Sequence, residues 1–399
     1  ATSQHSPASN GRPMKITEIS VVDLQIPSVP SRSQARRRSW IHDAARAFPI
    51  SKYPEFASAE QPVPGMDETP IWVRITAENG TWGLGCCGFG SVAQSTIQRV
   101  YAPLLIGRDC VATEWLNDLM WRAIQRLGDE GHAVIAQSAI DLALWDLKGK
   151  LLQQPVYRLL GGPCRATIPL YATTDDLDWA LELGFSAFKI SNPVHAESGT
   201  AGLNQLEDKV AQAREIVGPD ADLMLNPVMA YDVAFAIQVA ERLRPYRLRW
   251  LEEPLIPNDL RGHQELKRAV PWMPIATGED HHGRHAFLKL IEARCVDVVQ
   301  PDLCWCGGLS EALKIYTLAE AAGIPTSPHL AGSSPFGQHL ALAMPQVVLG
   351  EYWLASDPGI ALHEVARIPG TATAVNGTVT PTDAPGFGLE IQPEWIKPR

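Results

Sequence analysis

The sequence contains no apolar run that approaches the ~20 residues a membrane-spanning helix needs. Its first residues also lack the apolar core of a secretory signal peptide. We therefore expect a soluble, cytoplasmic protein with no membrane as a partner. Paired CxxC spacings are missing as well, and the seven cysteines are scattered, which argues against a disulfide framework and against a zinc ribbon.

An excess of positive charge is also lacking. Lysine and arginine number 34 against 44 aspartates and glutamates, so the formal net charge is −10. Nucleic acids and anionic membranes bind dense basic surfaces, and this composition argues against both as partners. The exception is one short basic run, Arg36, Arg37 and Arg38, whose simplest interpretation is a solvated loop.

The chain does have enough globular material, 399 residues with 45% hydrophobic side chains, for a large domain and a smaller one. Residues 1–13, rich in Ser, Pro and Asn, predict a disordered leader. Residues 14–150 predict an α+β domain, with strand-like runs around an Asn79-Gly80 hairpin turn and then helical stretches. The long segment Ser28–Pro70 interrupts this domain, and a loop of such length is usually functional or disordered.

After Gly162 the pattern changes to short apolar strands that alternate with amphipathic helices. Strands over about 190 residues that alternate with helices favour a (β/α) barrel over an open sheet. We assign residues 151–359 to this barrel. Its eight predicted strands are residues 167–173, 185–191, 221–226, 248–253, 274–279, 296–302, 324–330 and 347–353.

Polar side chains stand at the carboxyl ends of seven of these strands. In barrels of this kind the strand ends meet at one mouth, where catalytic residues lie, whereas residues inside the strands pack the core. A single such residue is most simply a capping or solvated residue, but seven on matching ends point to an active site. They are Lys189, Asn226, Glu252 or Glu253, Glu279, Asp302, His329 and Glu351.

The residue types at these ends restrict the chemistry. Oxygen ligands from three adjacent strands suit Mg²⁺, which prefers octahedral oxygen coordination. An aspartate beside a histidine, as Asp302 and His329 would be, suits proton abstraction because the carboxylate fixes the tautomer and orientation of the imidazole. Together they indicate removal of a proton next to a carboxylate, with a metal to neutralise the resulting charge.

Several motifs occur in order along the chain: PISKYPEF, IDLALWDLKGK, PVYRLLGG, WLEEP, TGEDHHG, QPDLCWCGGL, SPHLAGSS and PGFGLE. With them the chain resembles the enolase superfamily, specifically its mandelate racemase-like branch, and most closely the rhamnonate dehydratases. The resemblance covers the chain from about residue 14. It implies an α/β fold, a (β/α)7β modified TIM barrel with an α+β N-terminal capping domain that the C-terminal tail, residues 360–399, completes. It also implies a Mg²⁺ cofactor, an acid sugar (aldonate) as substrate and a homo-oligomer.

Carried over residue by residue, the resemblance implies that Glu252 and Glu279 are metal ligands, with Glu252 the first glutamate of WLEEP. Asn226 stands where the family has an aspartate ligand. The resemblance also implies that Asp302 and His329 form the catalytic dyad.

The resemblance also assigns Glu351 as the carboxyl group that hydrogen-bonds the substrate carboxylate or its enediolate. Lys189 matches the first lysine of the Lys-x-Lys motif of the racemases, and the second position is Ser191. The second base is therefore missing, and one base favours a dehydratase over a racemase. His329 would take the proton, return it to the departing 3-hydroxyl, and leave a 2-keto-3-deoxy acid.

Three departures from the family pattern concern metal and specificity. Asn226 contributes no negative charge, so the ligand set would carry two charges instead of three. Ser39 and Glu60 stand where the resemblance leads us to expect a histidine and a substrate-binding arginine. Two hypotheses result: a Mg²⁺-dependent acid-sugar dehydratase with a different or broader substrate, or a metal-weakened relative that binds an acid sugar or catalyses another enolisation, as an epimerase or cycloisomerase.

Three further residues are candidates for substrate binding. His281 follows Glu279 closely and either contacts the substrate or is structural. Arg38, in the basic run, lies in the segment that selects substrates in this superfamily, where it could attract an anionic acid. Trp305 could line the mouth, although a position between two cysteines is more simply core packing.

Overall fold

The computed structural model describes residues 13–28, 30–42, 44–56 and 69–399. The predicted disordered leader, apart from Pro13, lies outside the described residues, as does Glu60. Two sheets organise the rest of the chain, one antiparallel and one mainly parallel. No helix in these ranges is both long enough and apolar enough to cross a membrane.

Twelve strands and twelve α-helices are present in the described ranges. The strands are β1 Ile16–Leu24, β2 Ile71–Ala77, β3 Trp82–Cys87, β4 Ile168–Thr173, β5 Ala187–Ser191, β6 Asp222–Asn226, β7 Leu251–Glu252, β8 Ile275–Thr277, β9 Val298–Val299, β10 Gly350–Trp353, β11 Thr378–Val379 and β12 Ile396–Pro398. The helices are α1 Gly90–Thr96, α2 Ala102–Leu105, α3 Thr113–Ala123, α4 His132–Leu152, α5 Val156–Leu159, α6 Leu177–Glu182, α7 Gly199–Val217, α8 Val233–Leu243, α9 Leu260–Ala269, α10 Gly283–Glu292, α11 Leu309–Ala321 and α12 Pro335–Ala343.

The antiparallel sheet has the order β12-β1-β2-β3, so the end of the chain pairs with its first strand. The predicted hairpin between β2 and β3 is confirmed: Gly80 has a φ of +84°, and the side chain of Asn79 accepts the Thr81 amide hydrogen at 3.0 Å. Helix α4 covers this sheet. Gly83 and Gly85 permit close packing, because a Cβ on either would lie 2.2 Å from a carbonyl oxygen of α4.

Asp146, a residue of α4, connects three parts of the molecule. It is fully buried, and its Oδ2 accepts hydrogen bonds from the Leu84 amide at 2.9 Å and from the Lys150 ammonium at 2.7 Å. Its Oδ1 accepts the Phe387 amide at 3.0 Å. One carboxylate thus connects strand β3, helix α4 and the C-terminal segment, which fixes the antiparallel sheet against the rest of the chain.

The parallel strands form the predicted barrel, in the order β10-β4-β5-β6-β7-β8-β9 with β10 paired to β4. The predicted strand at residues 324–330 is wrong. Only Thr326 pairs there, as an isolated bridge to Val299 on one side and Val347 on the other, and these two bridges close the ring. The reason is the sequence IPTSPHL, in which Pro325 and Pro328 remove the amide hydrogens that a ladder needs.

The barrel interior is packed below the carboxyl ends of the strands. A cluster of inward side chains fills the interior below the mouth. Its members are Tyr171, Ala187, Met224, Trp250, Ala276, Val298 and Leu349. All seven cysteines are free thiols, as the missing CxxC spacing predicts.

His339 provides a test of the packing between α12 and the C-terminal segment. It is buried, its Nδ1 accepts the Tyr157 amide at 3.1 Å, and its Nε2 has no partner in the described ranges. Burial lowers the pKa of His339 to about 3. Below pH 6.5 His339 is therefore protonated in the unfolded chain but not in the folded chain. The free energy of unfolding consequently falls as the pH falls.

We expect this one histidine to reduce the free energy of unfolding by about 2 kcal/mol between pH 7 and pH 5. Urea denaturation at both pH values measures it. His339→Asn keeps an acceptor near the Nδ1 position and does not titrate, so its loss of stability over this interval is expected to be smaller by that amount. Parallel losses in the two proteins would contradict the assignment.

Candidate active site

The seven polar residues predicted at strand ends lie around the mouth of the barrel. Lys189, Asn226, Glu252 and Glu351 lie on β5, β6, β7 and β10 themselves. The remaining three follow a strand or bridge by two or three residues, because prolines and glycines end those strands early. They are Glu279 after β8, Asp302 after β9 and His329 after Thr326.

His329 and Asp302 form a dyad. Nδ1 of His329 lies 2.6 Å from Oδ2 of Asp302, whose other oxygen accepts the Cys304 amide at 2.6 Å. The carboxylate thus holds the Nδ1–H tautomer and leaves Nε2 as the reactive nitrogen. Nε2 lies 3.1 Å from Oε1 of Glu279 and 3.9 Å from Oε2 of Glu351.

Opposed effects set the charge of the imidazole. Burial lowers the pKa of His329, but the negative charges of Glu279, Glu351 and Asp302 outweigh it and raise this pKa to about 10. With these carboxylates unneutralised the imidazole is therefore protonated near neutral pH, and it can accept a proton only when a cation neutralises its neighbours.

Lys189 is a buried cation shared by two carboxylates. It is 2% exposed, and its Nζ contacts Oε1 of Glu252 and lies 2.8 Å from Oε1 of Glu351. Burial lowers the pKa of Lys189, but the charges of Glu252 and Glu351 raise it well above the ordinary value, so the ammonium stays charged. It neutralises groups on two strands of the mouth and is itself neutralised by them.

Glu351 is fixed in its ionised form. Its Oε1 accepts a hydrogen bond of 2.5 Å from the Thr173 hydroxyl, and its Oε2 accepts the Leu330 amide at 3.1 Å. Burial raises the pKa of Glu351, but the charges of Lys189 and His329 outweigh it and lower this pKa to about 2. A carboxylate that accepts hydrogen bonds therefore borders the cavity.

Asn226 and Glu252 lie in contact. The Asn226 amide group donates to Oε1 of Glu252 at 3.0 Å, while its carbonyl oxygen accepts the Val228 amide at 2.7 Å in a tight turn. That turn holds Val228 at a φ of +49°, a conformation that a β-branched residue rarely adopts. The second oxygen of Glu252 accepts Trp250 Nε1 at 2.9 Å and Gln300 Nε2 at 2.7 Å.

Asn226, Glu252 and Glu279 provide one amide and two carboxylates at the ends of three adjacent strands. This combination of donors suits a divalent cation. In the described ranges no three His, Cys, Asp or Glu side chains are placed so that they alone could hold a metal ion, so a metal site here needs Asn226. Two carboxyl groups here lack full compensation. Burial raises the pKa of Glu279 to about 8, and Oε1 of the buried Glu253 has no hydrogen-bond partner in the described ranges. All-oxygen donors of this kind are those Mg²⁺ prefers.

The segment made of residues 40–42 and 44–56 covers the mouth. Its backbone is held to the barrel by bonds from the Trp40 amide to Asp176 at 3.1 Å and from the Ala47 amide to the Asn192 carbonyl at 2.9 Å. Beneath it lies a cavity of about 170 Å³. The cavity is lined by Ile41, Arg46, Phe48, Thr173, Lys189, Ile190, Ser191, Asn226, Val228, Glu279, His329, Glu351 and Trp353.

A larger cavity, of about 1140 Å³, lies beside residues 352–373 and shares Trp353 with the smaller one. None of the seven strand-end residues lines it, so we place the active site in the smaller cavity. The smaller volume admits only a small molecule.

The predicted substrate-binding residues lie outside this lining. His281 is buried, with its ring 5.9 Å from Phe287 and no partner for either ring nitrogen in the described ranges. Arg38 is exposed. The ring of Trp305 lies 5.4 Å from that of His329, behind the dyad. Ser39, predicted to replace a histidine of the site, is buried and hydrogen-bonded to Asp176.

Ser191, at the position of the missing second base, does line the cavity. Its hydroxyl lies 2.5 Å from Asp175 and accepts a bond of 2.7 Å from Lys209 of helix α7. Lys209 also lies 3.2 Å from Asp175 and is not part of the cavity lining. Lys209 thus contacts Ser191 from a helix rather than from the same strand. The Lys-x-Lys spacing on the strand could not indicate this contact.

Comparisons with known proteins agree with this geometry. Residues 65–161 match the model of the mandelate racemase / muconate lactonizing enzyme N-terminal domain, and residues 174–395 match the enolase C-terminal domain-like model. An L-rhamnonate dehydratase from Saccharopolyspora erythraea is 35% identical over 384 residues, which are 96% of this chain and 97% of that protein.

Solved structures show the same similarity. The Mg complex of the rhamnonate dehydratase from Gibberella zeae superposes with a TM-score of 0.88 at 30% identity, covering 98% of each chain. The 3,6-anhydro-D-galactonate cycloisomerase from Zobellia galactanivorans superposes with a TM-score of 0.75 at 27% identity, over 95% of this chain and 97% of that one.

Proposed function

Because the chain belongs to the mandelate racemase / muconate lactonizing enzyme family of the enolase superfamily, and is a hydro-lyase of that superfamily with Mg²⁺ as its cofactor, we propose that it dehydrates a sugar acid. The product is a 2-keto-3-deoxy acid. The observation that carries the proposal is the His329–Asp302 dyad, whose Nε2, 3.1 Å from Oε1 of Glu279, faces a small cavity bordered by Lys189 and by acidic groups.

In the proposed reaction Nε2 of His329 accepts the proton from the carbon next to the substrate carboxylate. Asp302 keeps Nδ1 protonated and stabilises the imidazolium that forms, through its 2.6 Å contact. The imidazolium then gives its proton to the 3-hydroxyl, which leaves as water. The remaining enol tautomerises to the ketone, so no oxidant or reductant is needed.

Asn226, Glu252 and Glu279 would hold the Mg²⁺, which, when bound, supplies the positive charge that stabilises the deprotonated acid. Lys189 and Glu351 border the same cavity. As a fixed ammonium, Lys189 stabilises negative charge on the substrate, and Glu351 accepts a hydrogen bond from a substrate hydroxyl. These residue roles and a homo-oligomeric state are parts of the proposal.

The test is a screen of the purified protein against C4 to C6 sugar acids that include L-rhamnonate, with 2-keto acid detected as the semicarbazone. We expect at least one acid to be dehydrated in Mg²⁺, and we expect EDTA to abolish the turnover until Mg²⁺ is restored. Product formation that survives EDTA would contradict the metal assignment. A blank screen with Mg²⁺ bound would favour the alternative hypothesis, an epimerase or cycloisomerase with the same base.

A further inference from the structure

Arg46 is a cation of the cavity that no carboxylate among the described residues neutralises. It lies in the segment that covers the mouth, is half-buried and lines the cavity beside Phe48. Within the described ranges its only interaction is with the ring of Trp353, whose centre lies 5.8 Å from the guanidinium carbon. A half-buried guanidinium without an anion is poorly compensated, and a bound anion stabilises it.

Lys189, the other fixed cation in the lining, is already satisfied by Glu252 and Glu351. The two cations come from different parts of the chain. Lys189 lies on the barrel wall, whereas Arg46 belongs to the covering segment above the mouth. A substrate that places its reacting carboxylate near Lys189 and the metal ligands would therefore direct its other end toward Arg46.

The chemical nature of that other end follows from the groups around it. Ile41 and Phe48 provide apolar walls, while Arg46 provides several N–H donors in a planar fork. A sugar hydroxyl accepts one such bond but leaves the charge unbalanced, whereas a carboxylate matches both the charge and the paired geometry. The volume of about 170 Å³ restricts the molecule to a short chain.

We propose that Arg46 is a specificity-determining residue and that the substrate is a linear sugar diacid, an aldarate, with its distal carboxylate on Arg46. The inference rests on the proposed function for the identity of the reacting end. It departs from the aldonate expected from the sequence, because a monoacid leaves Arg46 without a partner.

The experiment measures equilibrium binding, so that it does not depend on turnover. The His329→Asn protein in saturating Mg²⁺ is titrated by calorimetry with three acids of one configuration that differ only at the last carbon: L-rhamnonate with a methyl group, L-mannonate with a hydroxymethyl group, and L-mannarate with a carboxylate. The galacto and gluco series of hydroxymethyl and carboxylate acids are titrated in the same way. Arg46→Met is the test variant. Lys52→Met removes an exposed positive charge from the same segment outside the cavity lining and is the matched control.

In the best-bound configuration we expect the diacid to bind about 30-fold more tightly than the hydroxymethyl acid, as one charge-assisted contact would give. Arg46→Met is expected to reduce this ratio to about threefold or less, and Lys52→Met is expected to leave it unchanged. A ratio near one in the parent, or an equal fall in both variants, would overturn the inference. Selective binding of diacids by the His329→Asn protein, together with no dehydration of any acid by the unsubstituted protein, would retain the inference and reject the proposed reaction.

Discussion

Replacing His329 by asparagine is expected to lower the rate of dehydration by at least about a thousandfold, because general base catalysis and the return of the proton both depend on its Nε2. The same substitution is expected to abolish exchange of the C2 proton with solvent. The asparagine keeps a polar group of similar reach toward Asp302 but cannot accept a proton at the Nε2 position. Loss of the C2 signal in proton NMR in D₂O measures the exchange directly.

Two controls make the His329 result interpretable. Asp302→Asn leaves the imidazole in place but removes the carboxylate that holds its tautomer, so we expect slow exchange rather than none. His339→Asn changes a buried histidine outside the site. Exchange that persists in His329→Asn would show that another group takes the proton, and the Ser191–Lys209 pair, at 2.7 Å, would then be the first to test.

Asn226→Asp is expected to tighten Mg²⁺ binding by about 10- to 100-fold, because it adds a negative charge to a ligand set that carries only two. The same change has the opposite effect without metal. Asn226 now donates a hydrogen bond of 3.0 Å to Glu252, and an aspartate would put two carboxylates in contact. The variant is therefore expected to melt below the parent in EDTA and to be stabilised more by Mg²⁺.

Calorimetric titration with Mg²⁺ and melting curves with and without the metal measure both effects. Gln300→Glu is the matched control, because Gln300 also donates to Glu252, at 2.7 Å, yet is not among the proposed ligands. If Asn226→Asp leaves the titration unchanged, Asn226 is not a ligand. If Gln300→Glu tightens it equally, local charge alone sets the affinity and the assignment of Asn226 as a ligand fails.

The sequence predicted most of the barrel because short apolar strands and amphipathic helices alternate with a regular period. It failed at residues 324–330, where two prolines leave Thr326 as the only paired residue. The predicted strand at 248–253 is likewise reduced to Leu251–Glu252. Apolar composition indicates burial, whereas a ladder also needs amide hydrogens in register, and single-sequence patterns do not report that.

The residues of the candidate site also fall into those that the sequence could predict and those that it could not. The strand-end residues were predictable because barrel geometry converts their positions into a common mouth. Arg46 and Phe48 were not, since they belong to an irregular segment whose contacts depend on tertiary structure alone. Arg38, favoured for its place in a basic run, is exposed outside the cavity. In this segment, residue type alone, without a predicted helix or strand to place the side chain, was a poor guide to which residues line the cavity.

In the proposed reaction His329 removes the proton next to a carboxylate, and water is then lost from the same molecule. The most direct measurement is mass spectrometry and proton NMR of the product formed in D₂O from the best-bound acid, with Mg²⁺ present. We expect a product that has lost one water, with a keto group at C2 and deuterium at C3. A product that keeps the full composition of the acid, with deuterium at C2 only, would contradict the proposed reaction and establish an isomerisation.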